Sequence, residues 1–462
     1  MEDAPYEPMH RTAVAKAQET LREHDVQWVQ GHFVDLLGVL RSVSIPVQRY
    51  LEDEIWGQGI GFDGSSVAGF SAVEQSDMVA IPDPATLQSM PWLYGGNRAR
   101  VVMDIATVDA REPFFGDPRY IARRAQQQVQ DAEYTGVELS PEFEFHVFPA
   151  PDAGREGEPA RRRFDPKEMK GYFAAVPFDD LEPFRNHLCE VLQATGIPVK
   201  YHHHEGGTWQ HEIEIHPLQG PIAASDTAIF IKFLARALGE MQNLHVTFMP
   251  KPVQGDAGSG MHVHLELMQN NTSAFYDDAD EHHLSQDARY FIGGLLDHAA
   301  ALTAITNPTV NSYKRLVPHY EAPIHVAWGS YNRSSLVRIP HQAGQQHAMD
   351  IEIRHPDASA NPYLAFAGLI HAGLDGIHRK IEPGPVVDAN IYAMELSELK
   401  QHGIARLPAT LSEALEAMQS DDVIREALGE HAFSAFLELK QQECDAYAEY
   451  VTPWERDRYF TV

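Results

Sequence analysis

Pro141-Glu142-Phe143-Glu144-Phe145-His146 alternates polar or charged side chains with aromatic ones. Successive side chains of a strand point to opposite faces, so this period of two predicts a half-buried strand. Phe143, Phe145 and Val147 then turn toward a core, and Glu142, Glu144 and His146 share the other face. Two carboxylates side by side repel each other unless something positive sits between them. Taken alone, the stretch reads as a strand with one solvated face.

The same pattern recurs elsewhere. Glu212 and Glu214 alternate with Ile213 and Ile215, His262 and His264 flank Val263, and Glu352 and Arg354 flank Ile353. Glu205 follows a run of three histidines. Charged residues are depleted in strands, so several such strands together read as a wall of carboxylates with a histidine or two. Hard cations such as Mg2+ or Mn2+ take oxygen ligands with occasional imidazole. There is no HExxH, and Cys189 and Cys444 are the only cysteines, which lowers the case for zinc and leaves no disulfide framework.

Arg315, Arg333, Arg338 and Arg354 fall close together among prolines and glycines. A guanidinium suits bidentate recognition of phosphate or carboxylate. Carboxylates for a divalent cation beside such arginines suit phosphoryl transfer, yet no GxxxxGK[ST] loop is present. The Gly255–Gly260 loop lets backbone approach a ligand, and Pro318 and Pro323 pin a loop carrying Glu321. On composition and spacing alone, the chain reads as a metal-dependent enzyme acting on a phosphorylated or carboxylated substrate.

The bulk numbers bound the partners. A net charge of −30 over 462 residues argues against nucleic acid or an anionic membrane and fits work in high salt. The acidic first residues lack an apolar core, and no apolar run approaches the ~18 residues of a membrane span. A reducing cytoplasm is the expected setting.

Strand and helix runs are mixed, which predicts an α+β fold. Strands are expected over 27–33, 39–45, 76–84 and 100–109, and helices over 11–25 and 47–55. After a linker at 113–118, helices are expected over 118–133, 180–195, 223–243, 291–306, 361–382 and 410–450. A polar loop is expected over 149–170.

At these motifs the chain resembles the type I glutamine synthetase family of bacteria and archaea. The matching residues are Phe-Asp63-Gly-Ser-Ser, Pro-Glu142-Phe-Glu144-Phe, His-His-Glu205, Gln-His-Glu212-Ile, Phe-Met-Pro-Lys251-Pro and Gly-Ser-Gly-Met-His262-Val-His264. They continue with Asn-Ser-Tyr-Lys-Arg315-Leu-Val-Pro, Tyr-Glu321-Ala-Pro, Asn-Arg333-Ser, Arg338-Ile-Pro and Glu352-Ile-Arg354, in the family's order. The resemblance implies a small β-grasp domain over 22–110 and a larger catalytic domain over 113–462, built on a curved antiparallel sheet flanked by helices. It also implies two stacked hexameric rings, with each active site between neighbouring subunits.

The implied reaction amidates glutamate with ammonia at the expense of ATP; some relatives use putrescine or another primary amine instead. A catalytically silent regulatory relative is a third reading. Two or more Mg2+ or Mn2+ ions are implied, one on Glu144, Glu205 and Glu212 and one on Glu142, His262 and Glu352. Glutamate falls to Gly258, Arg315, Glu321, Arg333 and Arg354, and ATP to His264, Glu266, Arg333 and Arg338. Asp63, Glu321 and Arg333 take the catalytic roles, and Asp63, Tyr172 and Glu205 line the acceptor pocket. Tyr392 matches loosely a loop whose tyrosine is modified in some bacterial members, and reads as an ordinary loop residue.

The sequence also departs from the family pattern, at Trp209, Ala257, Glu266, His319 and Trp328-Gly-Ser-Tyr331. These departures are expected to gather around the glutamate and acceptor pocket, leaving phosphoryl transfer intact and acceptor choice open.

Overall fold

The structure is a computed structural model that describes residues 7–93, 95–149, 171–318, 320–330, 332–340 and 349–462. His319, Tyr331 and nearly all of the loop expected over 149–170 lie outside the described residues.

The first part of the chain forms a six-stranded sheet of β1 (Trp28–Val34), β2 (Leu40–Pro46), β3 (Ile60–Asp63), β4 (Asp77–Pro82), β5 (Gln88–Ser89) and β6 (Arg98–Thr107). The order is β2-β1-β6-β4-β3, with β5 on β6, and β1 runs parallel to β6. Val29, Ile45, Ala99 and Val101 bury one face against Ala17 and Leu21 of helix Glu7–Glu23. The helix expected over 47–55 is two short ones, Gln48–Leu51 and Glu54–Gln58. Asp53 separates them at φ 64, a left-handed conformation that Asp tolerates better than most residues.

A ten-stranded sheet carries the rest. It comprises β7 (Gly136–Pro149), β8 (Val199–His204), β9 (Gln210–Ile215), β10 (Leu218–Gln219), β11 (Leu244–Thr247), β12 (Val263–Gln269) and β13 (Thr272–Ser273), then three short strands. After β14 (His325–Val326), which pairs elsewhere with β18 (Ala405–Arg406), these are β15 (Trp328–Gly329), β16 (Val337–Arg338) and β17 (Ile351–Ile353). The main path is β15-β16-β17-β12-β7-β9-β8, antiparallel throughout except at β15–β16. Phe143, Phe145 and Val147 of β7 are wholly buried against helices Glu182–Ala194 and Gly220–Met241.

Local rules set the helix boundaries. Asp117 and Asn361 cap helices Pro118–Asp131 and Pro362–Arg379, each accepting from a backbone N–H two residues on, with proline at the first helical position. The helix expected over 291–306 is two, Gln286–Asp297 and Ala299–Thr306, meeting at His298. The tail expected as one helix divides into Leu411–Gln419, Asp422–Leu428 and Glu430–Glu449, followed by Pro453–Tyr459. Asp421 caps the second of these, and Gly429, at φ 76, interrupts the run after it.

Arg119 ties the two sheets together. Its buried guanidinium reaches Asp83 at 2.8 Å and Asp104 at 2.6 Å on the first sheet's side, and Asp226 of helix Gly220–Met241 at 3.0 Å. Among the described residues, no helix is long and apolar enough to cross a membrane.

Candidate active site

Residues opposite one another in an antiparallel pair share a face, so strand register decides which side chains meet. Glu144 lies across from Glu212 and Glu142 from Glu214, while His203 lies across from Glu212 on its other side. His264 lies across from Glu352, and Glu352 from Arg338. Beyond the end of β12 the pairing continues, the Glu142 N–H donating to the His262 carbonyl at 2.8 Å and the Glu144 N–H to that of Gly260 at 3.2 Å. One face of the sheet thus becomes the wall of a cavity of about 850 Å³.

This is where the opening strand departs from the bland expectation. Its polar face is not solvated: Glu142 and Glu144 are each only 8% exposed. His146 is buried too, but outside the cavity lining, sharing a 2.9 Å hydrogen bond with the Ser259 hydroxyl.

Three overlapping ligand groups stand on or beside the wall, one of them Glu142, Glu212 and Glu214. Donor atoms of Glu142, His262 and Glu352 lie within 4.8 Å of one another, as do those of His203, Glu205 and Glu212. His262 Nδ1 donates to Glu142 at 2.9 Å, and His264 bridges Glu142 at 2.8 Å and Asp350 at 2.6 Å. Burial works against ionised Glu142, but His264 and His262 hold its carboxyl well below the usual range. Glu352 is held down to about 2: burial opposes its charge and Arg354 overrides it. On the other side the Gly206 N–H and Arg333 offset only part of the repulsion at Glu205. Burial, and then the charge of Glu144, push Glu205 up to about 8, and burial with Glu142 drives Glu212 well above the carboxylate range. Carboxylates gathered on one wall, some kept ionised by histidine and arginine and others resisting ionisation, form an oxygen-rich donor set that fits a hard divalent cation.

Glu144 stands somewhat apart from the tight group. Its Oε2 accepts from Gln210 Nε2 and from the Gly260 N–H, both at 2.8 Å, and its Oε1 lies 3.6 Å from His262 Nε2. His203, which the sequence reading passed over, takes the place beside Glu205 and Glu212. The only signal for it was the histidine run, and facing ring contacts with Tyr172 and Phe173 were not legible in that run.

The arginines face this wall. Arg338 Nε and Arg354 Nη1 both donate to Glu352. Arg315 is 3% exposed and donates to the His355 carbonyl at 2.8 Å and the Arg354 carbonyl at 3.1 Å. Two glycines leave it room. A Cβ at Gly258 would stand 2.5 Å from the Pro250 carbonyl and 2.9 Å from Arg315 Cγ, and one at Gly260 2.6 Å from Arg315 Nη2. Glu321 sits at φ 55, and its loop contributes Tyr320 and Glu321 to the lining.

The cavity lining brings together Glu142, Glu144, Tyr172, Glu205, Glu212, Gly258, His262, His264, Arg315, Glu321, Arg333, Arg338, Glu352 and Arg354. Glu266 is not in it. It lies one pleat beyond His264, where its carboxyl accepts from Ser273 and the Met349 backbone, and burial raises it to about 7. Asp63 is also absent from this lining. It ends β3 on the other sheet, its exposed carboxylate accepting from the Ser65 and Ser66 hydroxyls at 2.6 Å each. The departures do not gather at the site as expected. Trp209 packs on Phe148, Trp328 is buried with its indole N–H on the Gly384 carbonyl, and only Ala257 of the described ones lines the cavity.

A mixed sheet joined through Arg119 to a large sheet with a carboxylate–imidazole–arginine cavity defines an enzyme of two parts, one sheet carrying the cavity. Residues 25–108 match the family pattern described as glutamine synthetase, β-grasp domain, and residues 115–459 that of glutamine synthetase, catalytic domain. The chain belongs to the glutamine synthetase family. It is 42% identical over 440 residues to the glutamine synthetase of Thermotoga maritima, covering 95% of this chain and 97% of that one. Against the Thermus thermophilus glutamine synthetase it is 42% identical over 452 residues, covering 97% and 99%. A solved structure described as a GmaS/ADP complex superposes with a TM-score of 0.85 at 30% identity, covering 96% and 99%.

Proposed function

We propose that this chain is an ATP-dependent glutamate–ammonia ligase that makes glutamine. The observation that carries the reading is a single cavity whose lining sets Glu142, His262 and Glu352, with Glu205 and Glu212, against Arg315, Arg333, Arg338 and Arg354. Its membership of the glutamine synthetase family supports the same reaction.

A carboxylate resists direct amidation because its leaving group would be oxide. Transfer of the ATP γ-phosphoryl to the glutamate side chain gives an acyl phosphate, whose leaving group is phosphate. Arg333 and Arg338 would neutralise charge on the transferring phosphoryl, with His264 on the nucleotide side. Arg315 and Arg354 would hold the glutamate carboxylates beside Gly258. Glu142, His262 and Glu352 would hold one Mg2+ or Mn2+ ion, and Glu205 and Glu212 a second, completed by Glu144 or His203. Such ions would supply positive charge against the phosphates and the carboxylate wall.

Ammonium must lose a proton before it can attack. Tyr172 and Glu205 would line the acceptor pocket, and Asp63 of a neighbouring subunit would take the proton. The exposed position of Asp63, outside its own chain's cavity, supports a site shared between subunits, and we propose a dodecamer of two hexameric rings. Glu321 would close the site on the acyl phosphate and keep water out. Ammonia is favoured over a bulkier amine because the relatives that match over nearly the whole chain are glutamine synthetases.

The test is direct: purified protein with ATP, glutamate and Mg2+ or Mn2+, offered ammonium or putrescine, with phosphate and product amide measured. Glutamine formation with ammonium supports the reading. Amide formation with putrescine and none with ammonium would overturn it.

A further inference from the structure

Tyr392, read from the sequence as an ordinary loop tyrosine, donates its hydroxyl to the Ala322 carbonyl at 2.7 Å. Ala322 follows Glu321, whose backbone is held left-handed at φ 55, where a residue with a Cβ stays only if its surroundings fix it. Among the described residues, the backbone of Tyr320, Glu321 and Ala322 makes no backbone–backbone hydrogen bond. Among the described residues it is held by Tyr392, by a longer contact from Arg354 Nη2 to the Glu321 carbonyl at 3.4 Å, and by Lys251 Nζ 3.8 Å over the Tyr320 ring.

Tyr392 is itself well anchored. It sits in a short 3-10 turn, Ile391–Ala393, with its N–H on the Asn390 side chain at 3.1 Å. Its neighbour Ile391 is wholly buried against Ala327, Val387 and Leu399. The preceding segment is stitched to the loop that carries Arg333. The Val387 N–H donates to the Trp328 carbonyl, the Ser330 N–H to Asp388, and the Asn332 amide to the Val387 and Ala389 carbonyls. One rigid segment therefore braces both the Arg333 loop and the peptide after Glu321.

We infer that Tyr392 is a positioning residue that latches the Glu321 loop over the cavity and so protects the acyl phosphate from water. This rests on the ligase reading above. Hydrolysis of the acyl phosphate returns glutamate and phosphate, so a loosened loop turns ATP into ADP and phosphate with no amide made.

The test is Tyr392→Phe in the full chain, which keeps the ring and removes only the hydroxyl. Loss of one such hydrogen bond shifts the closed-to-open ratio by roughly fivefold. Glutamate-dependent phosphate release without ammonium should rise by about that factor, and kcat for glutamine should fall, while KM for ATP and the melting temperature stay near wild type. Unchanged phosphate release without ammonium overturns the latch, whichever way kcat moves. A wild-type protein that makes no glutamine overturns the ligase reading instead, so the two failures are distinct.

Discussion

Gly258→Ala tests the placement of Arg315 with one methyl group. Gly258 has no left-handed φ, so alanine is allowed by the backbone and the cost comes from contact alone. The new Cβ would stand 2.5 Å from the Pro250 carbonyl oxygen and 2.9 Å from Arg315 Cγ. Against a comfortable separation of about 3.5 Å, the overlap with Arg315 is about 0.6 Å. The Pro250 carbonyl is held by the Ser259 N–H at 2.8 Å and belongs to backbone, so the arginine stem moves more easily. A shift of that size stretches the guanidinium's bonds at 2.8 and 3.1 Å to the edge of hydrogen-bonding range or past it. Losing one charge-assisted bond costs about 1.5–3 kcal/mol, or roughly 10- to 100-fold in an equilibrium constant. If Arg315 holds a glutamate carboxylate, KM for glutamate rises by that factor while KM for ATP changes less than about threefold. Steady-state kinetics with each substrate varied in turn, alongside a thermal melt, measures this. A glutamate KM within twofold of wild type, in a protein that melts normally, would refute the assignment of Arg315. An equal loss for both substrates would mean general distortion of the cavity instead.

Glu352→Gln should weaken the Glu142–His262–Glu352 group by roughly 10- to 100-fold in affinity for Mn2+, measured by spin-resonance titration; an unchanged number of tight ions would count against that ligand set. Asp63→Asn should fold and bind ADP normally yet lose most of its glutamine synthesis. Mixed with Arg315→Ala subunits it should regain part of it, and no recovery would argue against a shared site. His298 donates to Asp421 at 2.7 Å and to Asp375 at 2.9 Å, while Arg379 reaches Asp375 and the nearby Asp297. Burial opposes its charge, but the bonds to Asp421 and Asp375 raise its pKa, so the stabilisation is fully present below about 6.5 and disappears as pH rises through the higher folded value. The melting-temperature loss in His298→Gln should therefore be larger at pH 6 than at pH 9, and the reverse order would refute the clamp.

Much of the site was legible because strand alternation writes a face directly into the sequence. Glu142, Glu144, Glu212, His262, Glu352 and the four arginines were found that way or through motif order, and all line the cavity. Glu266 shares the same alternation with His264 yet falls outside it, because alternation says which face a side chain is on and not how far along that face the cavity extends. Trp209 and Trp328 were misplaced because position within a motif does not say what a side chain packs against.

By itself, then, the sequence determined the residue types, their faces and the chemistry those types can perform. It also determined the helix starts at Asp117 and Asn361, since a cap acts within a few residues of chain. Only the tertiary structure decided that the polar face of 141–146 is walled in, since burial depends on what packs across it. Register across strands far apart in the chain set His262 beside Glu142 and Glu352, and Tyr392 reached Ala322 from seventy residues away. Such pairings depend on non-local geometry, which no local pattern of residues encodes.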